Sequence, residues 1–147
     1  MRHTLTRILP YTPGQLFDLV GEVERYPEFV RWVTALSTRN RREGAPGVVV
    51  LDADAEVRFS LIHERFSTRV TLDAPALAID VDLISGPFRR LVNRWRFADH
   101  ASGATLTFEI DFEFRSRLLG GLLAANLDRA TRRLVGCFEQ RARALYG

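Results

Sequence analysis

LTFEIDFEF, residues Leu106 to Phe114, decides the fold. Leu106, Phe108, Ile110, Phe112 and Phe114 alternate with Thr107, Glu109, Asp111 and Glu113. A period of two this regular predicts an antiparallel strand with one dry face and one wet face. The turn cluster Asp99-His100-Ala101-Ser102-Gly103 precedes it, and before that Leu91, Trp95 and Phe97 alternate with Val92, Arg94 and Arg96, which predicts a hairpin.

The same alternation continues upstream. Leu77, Ile79, Val81 and Leu83 interleave with Ala78, Asp80 and Asp82, and Ser85-Gly86-Pro87 links this strand to the next. Phe66, Val70 and Leu72 interleave with Arg65, Arg69 and Thr71 ahead of the turn Asp73-Ala74-Pro75. Val57, Phe59 and Leu61 fall on odd positions while Ile62, Phe66 and Val70 fall on even ones. That switch of parity requires a turn or bulge near residues 58 to 61.

The two ends read as helical. After a first strand, Thr4 to Leu9, Thr12 suits an N-cap and Pro13 the first helical position; Leu16, Phe17 and Val20 share a face before Gly21. Glu24 to Val30 forms a second short helix or turn, with Pro27 tolerated in its first turn. From Ser116 onward Leu119, Leu123, Leu127, Ala130, Leu134, Cys137, Phe138 and Leu145 recur at three- and four-residue steps. This spacing predicts one amphipathic helix of about eight turns, with Gly120-Gly121 permitting a bend near its start. The order implies an α+β fold in which a twisted antiparallel sheet buries its apolar face against the terminal helix.

Composition bounds the rest. The 147 residues, 46% hydrophobic and 27% charged, suit one domain spanning residues 1–147. All 21 basic residues are arginine, yet no basic run exceeds two residues, so a solvated surface explains them better than a dedicated nucleic-acid face, and DNA is not expected as a partner. Neither a transmembrane helix nor a signal peptide is visible, and the single cysteine excludes an internal disulfide, which points to the cytoplasm.

Catalytic constellations are sparse. His3, His63 and His100 lack the spacing of a metal site, and no metal is expected. Cys137 falls on the apolar stripe and reads as packing. Asp80, Asp82, Glu109 and Asp111 alternate with apolar residues and so face outward. The segment VERYPEFVRW, Val23 to Trp32, crowds Val23, Tyr26, Phe29, Val30 and Trp32 around a proline, and either caps the core or gates it.

The element order, together with VERYPEFVRW, SGPFRRLVNRWRF and LTFEIDFEF, resembles the coenzyme-Q-binding START-domain family of the helix-grip superfamily, which includes bacterial ribosome association toxins. The likeness spans nearly the whole chain, although Ser85 stands where the family carries an acidic residue. It implies a helix-grip (START/Bet v 1-like) fold: a curved antiparallel sheet of six or seven strands around a long C-terminal helix, with two short helices after the first strand. It further implies an apolar tunnel, with VERYPEFVRW at its gate, that binds ubiquinone or a related polyprenyl lipid as ligand in support of respiration, with no catalytic residues and no cofactor.

Under that resemblance Phe17, Tyr26, Phe29, Trp32, Phe66, Trp95, Phe108 and Phe112 are the candidate lining. Tyr26, Asn126 and Arg133 are candidates for holding the quinone head, against a surface or capping side chain for Asn126 and, favoured over the head-group role, a solvated flank for Arg133. At the hairpin tip, Phe88 between Gly86-Pro87 and Arg89-Arg90 either touches an anionic membrane, giving a peripheral location at the inner membrane, or folds back on the core. Two other functions remain: a ribosomal-subunit-binding regulator of translation, and a polyketide cyclase or aromatase, which would need ionisable groups facing inward.

Overall fold

The computed structural model describes all 147 residues. Strand β1 (Arg2–Leu9) leads into helix α1 (Pro13–Gly21) and a 3-10 helix (Val23–Glu28). Six strands follow: β2 (Val33–Glu43), β3 (Val48–Phe59), β4 (Ile62–Asp73), β5 (Ala78–Ser85), β6 (Phe88–His100) and β7 (Gly103–Phe114). The chain ends in α2 (Arg117–Ala124) and α3 (Leu127–Tyr146). All strand pairs are antiparallel, in the order β1-β7-β6-β5-β4-β3-β2. This is the helix-grip arrangement, with α1 and the 3-10 helix carrying the chain from one edge strand to the other.

Local chemistry explains the elements. Thr12 caps α1 in a reciprocal box: its hydroxyl accepts from Gln15 N at 3.1 Å, and the Gln15 side chain accepts from Thr12 N at 3.0 Å. The parity switch is a two-residue turn at Ser60-Leu61, with Ser60 at φ 55°. Register shifts at Val33/Ala35, Arg39/Arg42, Ser67/Thr68 and Phe88/Arg90 bend the sheet around the helix. Gly103, at φ 140°, is needed because a Cβ there would lie 2.2 Å from the Leu9 carbonyl oxygen, where the chain leaves β1.

Strand β2 follows no alternation, because as an edge strand nearly all of it is exposed. The predicted single terminal helix is divided. It breaks at Ala125-Asn126, where Asn126 leaves helical geometry (φ −128°, ψ 13°), and the preceding segment contains Gly120-Gly121.

The inward face of the sheet holds odd positions on β3, β5 and β6 and even positions on β4 and β7. The main core joins this face to α1 and to Val135, Phe138 and Ala142 of α3. A smaller cluster of Phe88, Leu91, Phe112 and Phe114 lies under α2. Phe88 is buried and stacks on Phe114 with ring centroids 4.8 Å apart. Arg90 pairs with Asp111 at 3.2 Å and Glu113 at 2.8 Å, leaving Arg89 exposed. The tip therefore turns its aromatic ring into the protein and offers a membrane no apolar anchor at Phe88.

The outward acids face away from the core as expected, but they join cross-strand ladders: Arg94 reaches Asp80 and Asp82, Arg96 reaches Asp80, and Arg2 reaches Glu109. One outward carboxylate is buried. Asp52 lies beneath Arg39, Arg42 and Arg69 and accepts from Asn40 Nδ2 at 3.1 Å. Asn40 adopts φ 59° at the β2 bulge. The Asn40 hydrogen bond, then Arg69 and Arg42, hold the Asp52 carboxyl below the usual carboxylate range against the cost of desolvation.

Candidate functional site

Three inward rows of side chains cross the sheet and show how the helices cover it. The first, Val49, Leu72, Ile79, Trp95, Phe108 and Leu5, is closed, every member being buried except half-buried Val49 at its β3 end. Phe138 seals it, its ring centroid lying 5.0 Å from that of Trp95 and 5.1 Å from those of Tyr26 and Phe29. Such edge contacts each contribute about 0.5–1.5 kcal/mol beyond burial. The second row runs Leu51, Val70, Val81, Asn93, Ile110 and His3; Leu51 and Val70 are buried, whereas Val81, Asn93 and Ile110 are half-buried. In the third, Ala53 and Thr68 are buried and Leu83 is half-buried, with half-buried Phe66 alongside.

On α3, Ala130 and Leu134 are likewise half-buried, and Leu134 packs against the main core. The His3–Asp128 pair at 3.2 Å and the Arg7–Glu139 pair at 3.3 Å tie α3 toward β1. The middle of the sheet is thus less completely covered than the Phe138 end: Phe66, Val81, Leu83 and Ile110 stay half-buried and form an apolar trough between the two clusters. The expected enclosed tunnel is filled at the Phe138 end.

Besides His3, which ends the second row at the β1 edge and pairs with Asp128, two polar side chains face inward. Asn93 occupies an inward position; its Oδ1 accepts from Trp95 Nε1 at 2.8 Å and its Nδ2 donates to the Glu109 carbonyl at 2.9 Å, leaving one N–H. Thr68 also points inward, and its hydroxyl makes no hydrogen bond within the protein. Both residues interrupt an otherwise apolar register, between Leu91 and Trp95 and between Phe66 and Val70. Sequence reading passed over them although that interruption was visible.

The sequence candidates separate. Trp95, Phe108 and Phe29 belong to the closed end, with Arg141 5.2 Å over the Phe29 ring. Phe17 packs edge-on to Phe97 at 6.4 Å, near α1. Phe66 borders the trough and touches Phe88 at 5.4 Å, and Phe112 lies in the smaller cluster. Tyr26 donates its hydroxyl to the Val20 carbonyl, and burial, then the Glu24 charge, push that hydroxyl far above its ordinary value. Its only O–H is thus committed to the backbone. Asn126 is exposed, with Nδ2 3.4 Å from the Leu122 carbonyl, so it faces the helix surface. Trp32 packs on Phe59 at 5.6 Å and lies beneath the Arg133 guanidinium at 5.7 Å, on the outside of the trough.

VERYPEFVRW is therefore a cap. Val23 and Val30 are buried, Tyr26 and Phe29 pack on Phe138, and Glu28 accepts from Arg141 at 3.0 Å. Burial pushes the half-buried Cys137 thiol up, which keeps it protonated at neutral pH. His63 and His100 sit at the surface, the latter accepting from Ser102 N at 3.0 Å. No group of three His, Cys, Asp or Glu side chains is placed to hold a metal ion. No helix is long and apolar enough to cross a membrane.

Residues 9–139 match the polyketide cyclase / dehydrase and lipid transport family. The chain is 34% identical over 143 residues to the ribosome association toxin RatA of Rickettsia prowazekii, covering 94% of this chain and 93% of that protein. It is 28% identical over 155 residues to the mitochondrial coenzyme Q-binding protein COQ10 homolog B of Xenopus laevis, covering all of this chain and 60% of that one. An 18 kDa protein from Caulobacter crescentus, known from its solution structure, superposes with a TM-score of 0.85 at 50% identity, covering 100% and 99% of the two chains.

Proposed function

The chain belongs to the polyketide cyclase / dehydrase and lipid transport family, and from that premise we propose that it binds ubiquinone or a related polyprenyl lipid without transforming it, in support of respiratory electron transport. One observation carries this reading: Phe66, Val81, Leu83 and Ile110 are apolar, face inward and remain only half-buried between the two core clusters. An isoprenoid tail laid there would gain about 0.8 kcal/mol for each methylene removed from water. The spare Asn93 N–H and the Thr68 hydroxyl are donors suited to quinone oxygens. These two residues take the head-group role considered for Tyr26, Asn126 and Arg133.

The test is organic extraction of protein purified from a quinone-producing host, followed by mass spectrometry. A prenylquinone is expected in the wild-type extract and absent from a Val81→Glu variant of unchanged circular dichroism. Repeated extracts without any isoprenoid lipid, joined to no binding on titration, would overturn the proposal.

A second reading, a regulator that contacts a ribosomal subunit, is supported by the name borne by the Rickettsia relative and by arginines left without carboxylate partners near Trp32. It requires salt-sensitive co-sedimentation with isolated subunits. The cyclase alternative has less support, since Asn93 and Thr68 are uncharged and the inward His3 lies at the β1 edge, paired with Asp128.

A further inference from the structure

A groove of about 390 Å³ outside the trough is lined by Arg31, Trp32, Arg58, Phe59, Ser60 and Arg133. Three guanidinium groups and two aromatic rings share it, with no carboxylate among the lining residues. Nearby acids are engaged elsewhere: Glu22 and Glu28 by Arg25, Glu28 also by Arg141, and Asp128 by Arg132. The acid partner of Arg58 is Glu56 at 3.8 Å, which Arg65 already holds at 2.9 Å. The charge of Arg133 and Arg31 also reaches Cys137, where it opposes the effect of burial. Arg129, one helical turn before Arg133, extends the line of positive charge by about 6 Å.

We infer that this groove is a contact site for single-stranded RNA. Several guanidinium groups in one groove can each meet a phosphate, and the partly buried Phe59 and Trp32 rings, the latter with Arg133 over one face, offer a surface on which an unpaired base can stack. A membrane fits less well, because Trp32 and Phe59 are recessed and only Leu61, at the tip of the β3–β4 turn, projects as an exposed apolar side chain beside them. The choice of RNA over other polyanions rests on the ribosome-directed reading, whereas the groove itself is independent of whether the trough is filled.

The test is fluorescence anisotropy with a labelled oligouridylate of about ten nucleotides, a length typical of single-strand sites, titrated at several salt concentrations. Each phosphate contact contributes about 0.7 to the slope of log affinity against log salt for single strands, so R31A/R58A/R133A should lower the slope by about two. The same variant should weaken binding at least roughly tenfold at low salt. R89A/R117A/R143A, which removes equal charge from exposed arginines elsewhere, should change affinity by less than about twofold. Absence of binding at low salt, equal loss in the control variant, equal affinity for duplex RNA or for oligodeoxythymidylate, or preference for anionic phosphatidylserine vesicles would each overturn the inference. Subunit co-sedimentation is scored separately: its failure with oligouridylate binding intact removes the ribosome-directed reading and leaves the groove, and its persistence in R31A/R58A/R133A shows that the subunit is held elsewhere and overturns the groove.

Discussion

The two ends of the helical layer carry similar apolar content and meet opposite fates. In the second half of α3, Val135, Phe138 and Ala142 are almost completely buried. In α2, written RLLGGLLA, no residue is buried, and Leu118 is 72% exposed. What differs is the opposing surface. Phe138 meets three rings, two from the 3-10 helix and its C-cap and one from β6, whereas α2 lies over one small cluster beside the half-covered trough. Hydrophobicity supplies the drive to bury, but the shape of the partner decides how much is achieved.

This contrast can be broken most forcefully at the tight end. Phe138→Ala should cost roughly 3–5 kcal/mol, read by urea denaturation, because a cavity opens among rings that have no room to collapse. Asn93→Leu probes the boundary between the ends: it strands the Trp95 Nε1 donor and should cost about 1–3 kcal/mol while altering ligand affinity. Phe138→Ala should leave ligand selectivity intact if the trough is separate from the closed end.

Acid acts on the outer face. The folded carboxyls of Asp52, Asp54 and Glu56 are held below their ordinary values, chiefly by the Asn40, Arg39 and Thr34 side chains respectively. The unfolded chain then binds more protons than the native one as the pH falls, so this stabilisation is complete above the ordinary carboxyl range and is lost on acidification through the folded values. Midpoints of urea unfolding should fall between neutral and acid pH, and less so in Asp52→Asn. The smallest effect is expected at the loose end: Leu118→Ser should change stability by less than about 0.5 kcal/mol and lower the tendency to self-associate, measured by light scattering.

Much of the fold was legible because alternation encodes a half-wet sheet directly. Parity alone gives β7 and a turn or bulge near residues 58 to 61, and the structure places that turn at Ser60-Leu61. β2 was not legible, since an edge strand exposed along nearly its whole length has no dry face to write a period. The helix break was missed because Ala125 and Asn126 carry no strong stop signal, and apolar spacing continues across them. The site was harder. Aromatics mark large buried side chains without separating a filled end from an unfilled one, and that division depends on where α3 is tied. Asn93 and Thr68 were readable only once the inward register was known.

Gly86 connects the hairpin tip to the trough wall. At φ 147°, a Cβ on it would fall 2.5 Å from the Cβ of Phe66. Any larger residue at this turn would therefore press directly on Phe66, which borders the trough, and so reshape the ligand surface from a position outside it.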